Sequence, residues 1–266
     1  MNTLQELMSL DNRVAIVTGG GGHIGSVFCE TLAEMGASVA VLDLSQDKCD
    51  QVAERIMTQP GNVAFPLSVD LLNEHQVQTI PKKVLAQLGR IDILVNCAAF
   101  VGTSDLTGWA VPFSEQSAET WRMALEVNLT AAFVLIQKCV EPMKKTGNGV
   151  IINVGSIYGM VGPDLDFYKG TKMGNPAAYA VSKGGLLQFT KWLSTVLAPE
   201  IRVNAVTPGG VWRNQPKSFV EKYRKKTPMQ RMATEEDLKG ALVYLASDLS
   251  AYVTGQNLIV DGGFTS

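Results

Sequence analysis

The chain has little charge of either sign to spare, few histidines and no paired cysteines. Its 266 residues carry 23 Lys and Arg against 25 Asp and Glu, a net charge of −2, and this balance gives no reason to expect nucleic acid or an anionic membrane as partner. Two histidines and four scattered cysteines (Cys29, Cys49, Cys97 and Cys139), with no C-x-x-C pair, suggest no metal site. Free thiols in a reducing cytoplasm are the simplest reading. No run approaches the roughly 18 apolar residues of a membrane span. The opening "MNTLQELMSLDNR" lacks a basic start and a long apolar core, so a secretory signal is not expected. Leu4, Leu7 and Met8 fit one turn of a docked amphipathic helix or a mobile tail, and the docked form is favoured. Residues 1–10 are then an extension on one domain spanning 1–266, without linker, repeat or low-complexity segment.

What is present is an ordinary globular composition, 46% hydrophobic and 18% charged. Short β-branched runs at 13–19, 38–44, 62–70, 91–99, 149–156, 201–210 and 255–263 read as strands. Helical patterns separate them at 26–36, 46–57, 74–89, up to about Lys145, at 177–197 and at 235–247. The strand runs are nearly continuous rather than alternating, as in strands buried on both faces. Alternating β and α predicts a doubly wound parallel sheet of about seven strands, a three-layer α/β/α fold of the Rossmann kind.

The stretch T-G-G-G-G-H-I-G (18–25) falls where the first strand turns into a helix. Such a turn holds a dinucleotide pyrophosphate, because backbone N–H groups at the helix N-terminus face the anion and glycines permit close approach. G-x-G-x-x-G by itself is a weak signal, and an incidental structural loop is the bland alternative. Asp43 strengthens the reading: it ends the second strand, 18 residues after Gly25, near the usual place of the carboxylate that accepts from the adenosine ribose.

Further motifs carry a family resemblance over residues 11–263. They are "TGGGGHIG", "DL" (70–71), "NCAA" (96–99), Asn128 in "VNL", "VGS" ending at Ser156, Tyr179-x-x-x-Lys183, "PGG" (208–210) and "VDGG" (260–263). In this order they resemble the short-chain dehydrogenase/reductase family. The single-domain branch usually has T-G-x-x-x-G-x-G; this chain instead fits T-G-x-x-G-x-x-G through Gly19, Gly22 and Gly25. Gly22 then supplies the close approach, and His23 turns outward or meets the cofactor.

The resemblance implies an NAD-dependent oxidoreductase that interconverts a secondary alcohol and a ketone. Tyr179 would be the general acid/base, Ser156 a hydrogen-bond partner of the substrate oxygen, Lys183 the ribose ligand that tunes Tyr179, and Asn128 the holder of a relay water. Tyr179 and Lys183, four apart on a helix, share a face, and a nearby ammonium favours the phenolate. The cofactor set implied is Gly19, Gly22, His23, Ile24, Gly25, Asp43, Asp70, Leu71, Asn96, Ala98, Tyr179, Lys183, Pro208 and Val211. Asp43 repels a 2′-phosphate, and Leu44 and Ser45 bring no arginine, so NAD is expected over NADP. Arg213 stands where the family often has a threonine that holds the cofactor.

Ser156 and Tyr179 are 23 residues apart, a longer interval than the family usually has. The excess, "PDLDFYKGTKMGNP" (163–176), is tethered at both ends to the catalytic group, so it must lie at the mouth of the site. Asp164, Asp166, Lys169 and Lys172 are expected to offer donors and acceptors there, and Tyr168 a ring face. A second loop, "TSDLTGWAVPFSEQS" (103–117), follows the fourth strand at its carboxyl end. This lining suggests a sugar or sugar-derived substrate, bounded by Trp109, Ser156, Tyr168, Tyr179 and Arg213. A phosphate on it would meet Arg213 or the basic run "KYRKK" (222–226), which reads equally as a solvated helix face. Both loops are similar to family members tied to bacterial surface-sugar and nonulosonate biosynthesis. The alternatives are a 3-ketoacyl-thioester reductase-like or other carbonyl reductase and a non-catalytic dinucleotide-binding protein. The family also implies a homo-oligomer, tetramer or dimer, joined through the helices at 117–145 and 177–197.

Overall fold

In the computed structural model, which describes residues 1–101 and 105–266, the β-branched runs form one parallel sheet. Its strands are β1 (Val14–Thr18), β2 (Ser38–Asp43), β3 (Ala64–Ser68), β4 (Ile93–Asn96), β5 (Gly149–Val154), β6 (Ile201–Pro208) and β7 (Asn257–Val260), in the order β3-β2-β1-β4-β5-β6-β7. Every residue of β1, β4, β5 and β6 is buried, which is why these runs lack alternation. The side chains nevertheless divide between two cores. Ala15 and Val17 pack with Phe28, Leu32 and Leu242 on one face. Val14 and Ile16 pack with Ile80, Leu135 and Leu193 on the other. Pro66 lies on β3, an edge strand, where a lost donor is tolerated.

Helices α2 (His23–Glu34), α3 (Gln46–Met57), α4 (Glu74–Leu88), α5 (Ala118–Leu125), α6 (Ala131–Thr146), α7 (Ala177–Val196), α8 (Lys217–Lys226) and α9 (Lys239–Ala246) cover the sheet and its carboxyl edge. A first short helix, α1 (Leu4–Met8), precedes them, capped by Thr3 and Glu6. None of its residues is buried; the extension is fastened by Leu10, which is fully buried and whose N–H donates to the Met35 carbonyl. The single long helix expected before Lys145 is instead α5, a π-helical turn (Glu126–Thr130) and α6. Together they make the continuous helical stretch Ala118–Thr146, long and apolar enough to cross a membrane by length and composition alone. Its inner face, with Leu135, Ile136, Cys139 and Met143, packs on the sheet as a core helix does.

β1 is the point at which the chain reverses direction across the sheet, β2 lying on one side of it and β4 on the other. A crevice opens at the carboxyl ends of strands so arranged.

Candidate active site

A cleft of ≈ 730 Å³ occupies that crevice. Thr18 ends β1, and its hydroxyl accepts from the Cys97 and Ala98 N–H groups (3.1 and 3.2 Å), which fixes the chain leaving β4 against the glycine turn. Gly19 has φ +67°, and a Cβ there would lie 2.8 Å from the Ala98 Cα. A Cβ on Gly25 would lie 2.0 Å from the Gly19 carbonyl oxygen, so α2 can begin this close to the turn only with glycine at that position. His23 is the first residue of α2; it is exposed, and it also borders the cleft. Asp43 accepts from the Gly21 N–H (3.1 Å) and the Ser45 N–H (3.4 Å), which holds its carboxylate beside the turn.

Gly22, Ile24, Asp70, Leu71, Ala98, Pro208 and Val211 also border the cleft. Asn96 does not. It is buried behind the wall, donating from Nδ2 to Asn153 Oδ1 (2.8 Å), and Asn153 donates to Thr190 Oγ1 (2.9 Å). A side chain so placed ties β4 to β5 and α7 instead of facing the cofactor. The glycine cradle, a helix N-terminus and a carboxylate at the end of β2 fit a dinucleotide.

Ser156, Tyr179 and Lys183 meet in the same cleft. Burial pushes the Tyr179 phenol up, while the neighbouring Ser156 hydroxyl and the Arg213 guanidinium pull it back. Lys183 is buried, its ammonium donating to the Val154 carbonyl (2.7 Å), and desolvation lowers its pKa to about 8. Asn128 sits on the π-helical turn. Its amide is committed to protein groups: Oδ1 accepts from the Phe100 N–H (2.8 Å), and Nδ2 donates to the Phe100 carbonyl (3.3 Å) and Ser182 Oγ (3.0 Å). The side chain thereby fixes the turn, the loop after β4 and the tyrosine helix to one another.

The substrate end departs most from expectation. Trp109 is 2% exposed, with its indole N–H donating to the Val101 carbonyl (2.7 Å) and its ring packed beside Trp121 and Tyr179. A ring so enclosed, with its only donor satisfied, supports the tyrosine helix and does not line the cleft. Of the loop at 103–117, residues 103 and 104 lie outside the described residues. Gln116 of that loop accepts from the Ala177 N–H (3.1 Å), fastening it to the start of α7.

Asp164, Asp166, Lys169 and Lys172 do not line the cleft either. Asp166 pairs with Lys169, and Asp164 reaches Lys226. A short 3-10 turn (Leu165–Phe167) instead plants Phe167 among Phe219, Tyr223 and Phe264. From the basic run only Tyr223 reaches the cleft. Lys222 is held by the Asp166 carbonyl, Arg224 by the Gln230 carbonyl, and Lys226 lies over the Phe167 and Phe264 rings.

Tyr168 does line the cleft, its hydroxyl donating to Tyr158 Oη (2.8 Å). Asn175, Gln215, Phe219 and Met232 join it, as does Arg213. Sequence reasoning missed Tyr158, Asn175, Gln215, Phe219 and Met232. The proximity of Tyr158 to Ser156 in the chain, and the place of Asn175 in the insertion at 163–176, could have pointed to two of them.

A family model described as enoyl-(acyl carrier protein) reductase matches residues 21–265. The chain is 32% identical over 264 residues to a cyclopentanol dehydrogenase of Comamonas sp., covering 97% of this chain and 98% of that one. Among solved structures it is similar to a short-chain dehydrogenase from Leptospira borgpetersenii with bound NAD+ (34% identity, TM-score 0.85, covering 100% of this chain and 97% of the other). It is also similar to a gluconate 5-dehydrogenase from Burkholderia cenocepacia in complex with NADP and tartrate (29% identity, TM-score 0.87, 99% of each). With the strand order, the glycine turn and the Ser156–Tyr179–Lys183 group, these matches make the chain a member of the short-chain dehydrogenase/reductase family, an oxidoreductase that acts on CH–OH groups.

Proposed function

We propose that the protein is an NAD-dependent dehydrogenase that oxidises or reduces a hydroxyl-bearing carbon of a sugar-derived substrate, working in the cytoplasm as one dinucleotide-binding domain and as a homo-oligomer. The observation that carries the reading is the convergence of Ser156, Tyr179 and Lys183 on the cleft bordered by Gly19, Gly25 and Asp43.

When bound, the dinucleotide supplies the hydride acceptor or donor. Tyr179 takes the proton from the substrate hydroxyl in oxidation and returns it in reduction. The Ser156 hydroxyl, in the same cleft, orients the same substrate oxygen. Lys183 holds the nicotinamide ribose, and its ammonium favours the phenolate. Asn128 keeps Phe100 and Ser182 in place around them. Asp43, fixed by two backbone donors, accepts from the ribose 2′-hydroxyl and repels a 2′-phosphate.

Support for a sugar-derived substrate comes from the polar groups Asn175, Gln215 and Arg213 set among the rings of Tyr158 and Tyr168, and from the likeness to a gluconate dehydrogenase. A second reading, a ketone carried on an acyl thioester, is favoured by Met173, Met232 and Phe219 on the same walls.

The test is nicotinamide absorbance with a panel of polyols, sugar acids and a 3-ketoacyl thioester, using NAD and NADP in turn. The expected outcome is turnover of a sugar-derived compound with a higher kcat/KM for NAD. Tyr179→Phe should lose about 10²- to 10⁴-fold in kcat, the usual share of acid–base catalysis, while still binding NADH. Asp43→Ala should lose the NAD preference. Equal use of both cofactors by the native protein would contradict the role given to Asp43, and efficient turnover of the thioester alone would favour the second reading.

A further inference from the structure

Arg213 is a cation of the cleft to which the dehydrogenation scheme gives no ligand. It follows β6 at the carboxyl edge of the sheet, in a turn that its surroundings hold firmly. Its N–H donates to Gln215 Oε1 (2.6 Å), and Gln215 Nε2 donates back to the Val211 carbonyl (2.8 Å). Asn214 takes φ +56° to close the turn, and Trp212 N–H donates to the Ala233 carbonyl. The chain is thus constrained to send the Arg213 side chain into the cleft, where it is only 29% exposed.

Once there, the guanidinium is left without a full partner. Among the described residues it makes no hydrogen bond, and its Nε is enclosed with none. Its nearest carboxylate, Glu235, is 3.7 Å from Nε, beyond hydrogen-bond reach. A guanidinium offers five donors in a planar fork shaped for a carboxylate or phosphate. Withdrawing one from water without satisfying those donors is costly.

Three features of the surroundings suit an anion. First, the acidic residues that border the cleft, Asp43 and Asp70, both belong to its dinucleotide end. Second, the Asn175 amide lies beside the Tyr168 hydroxyl, where it offsets part of the rise that burial gives that phenol's pKa, yet both its nitrogen and its oxygen are enclosed without a partner in hydrogen-bond geometry. Third, Arg213 and Tyr179 line the same cleft. The other cation of the cleft, Lys183, is held by the Val154 carbonyl.

We propose that Arg213, assisted by Asn175, is the specificity-determining residue of the substrate site, and that it binds an oxyanion (a carboxylate or a phosphate ester) carried by the substrate a few atoms from the carbon that is oxidised. This builds on the proposed dehydrogenase function and narrows its substrate to an anionic hydroxy compound. Arg213 recognises the oxyanion by a forked pair of N–H···O⁻ bonds, and an uncharged polyol leaves the fork unsatisfied. Discrimination therefore comes from the cost of the unmatched guanidinium as much as from the bonds formed.

The experiment uses the full chain saturated with NADH and measures calorimetric binding of three probes with similar polyol chains: D-sorbitol, D-gluconate and sorbitol 6-phosphate. At least one anionic probe is expected to bind tenfold or more tightly than sorbitol, and which one does so separates carboxylate from phosphate. R213Q should lower that affinity at least tenfold and leave the NADH Kd within twofold; R213K should retain part of it. N175A should weaken the anion less than R213Q does. The proposal is overturned if neither anion binds better than sorbitol, if R213Q leaves anion affinity unaltered, or if R213Q weakens NADH as much as the anion, which would assign Arg213 to the cofactor. Turnover separates the two readings. Oxidation of neutral polyols with no advantage for the anionic ones leaves the dehydrogenase reading standing and sinks this proposal. Arg213-dependent anion binding without NAD-linked oxidation of any sugar-derived alcohol sinks the sugar dehydrogenase reading and sustains this one.

Discussion

Lys183 lies between two demands that burial sets against each other. Its ammonium is enclosed and bonded to a single carbonyl, and desolvation brings its pKa from 10.5 to about 8. The folded protein therefore releases this proton near pH 8, while the unfolded chain keeps it until about 10.5. Between those values the unfolded state binds more protons, so this group makes stability rise with pH. From pH 7.5 to 9.5 the expected gain is about 2 kcal/mol. The buried thiols act in the opposite sense, because Cys97 and Cys139 are pushed up to about 11 and about 12 and keep their protons longer when folded. The contribution of Lys183 is thus read as a difference. Urea midpoints of the apo-protein and of Lys183→Met are compared at the two pH values. The wild type should gain stability relative to the variant on going to pH 9.5. A constant difference between the two proteins would mean that the ammonium is not held in a desolvated site.

The insertion before α7 behaves as an element in its own right, although it has little regular structure. Phe167 is its anchor, packed against Phe219 and Tyr223 of α8 and Phe264 near the end of the chain. Lys226 bridges the same parts, reaching Asp164 and lying over two of the rings. The insertion, α8 and the C-terminal residues therefore form one small cluster above the cleft, distinct from the two cores against the sheet. Phe167→Ala should cost this cluster on the order of 3 kcal/mol, as for buried phenylalanines generally. Because the cluster lies apart from the sheet, the loss should appear locally. Amide hydrogen exchange should quicken across 217–226 while β1, β4 and β5 keep their protection. The KM for substrate should rise with little change in NADH affinity. Uniform loss of protection across the sheet would contradict the separation.

At the scale of the whole molecule, the outer surfaces of α6 and α7 present an apolar area that one chain leaves uncovered. Phe133, Phe189 and Trp192 form a ladder of rings across the two helices, with centroids 5.9 and 6.2 Å apart. Trp192 is 58% exposed, and Val181 and Val196 are exposed on the same helix. Under the homo-oligomer proposed above, a second copy of the chain packing the same helices against their equivalents is the expected occupant of this surface. Trp192→Glu places a charge at that centre, where burial without a partner is costly. Sedimentation of the native chain at micromolar concentration should give a dimer or tetramer, and the variant should give a smaller species. A native monomer would refute the assembly.

Periodicity and composition alone determined the alternation of strands and helices, because strands covered on both faces must be continuously apolar and their connections must be helical. The glycine turn and Asp43 were legible for a similar reason. Gly25 is required by the 2.0 Å gap to the Gly19 carbonyl, a backbone constraint that any sequence making this turn must meet. The spacing of Tyr179 and Lys183 likewise fixes a shared helix face before any tertiary contact forms. Which polar groups would face the cleft could not be read this way. Trp109, Asp164, Lys169, Lys222 and Lys226 look like binding residues in the sequence. The fold instead gives each a nearer partner: the Val101 carbonyl for Trp109, Lys226 for Asp164, Asp166 for Lys169 and for Lys222, and two aromatic rings for Lys226. Arg213, by contrast, borders the cleft with its Nε enclosed and no hydrogen-bond partner, Glu235 standing 3.7 Å away. Local sequence specifies backbone geometry, whereas the direction in which a charged side chain points depends on what distant segments place beside it, and only the tertiary structure decides that.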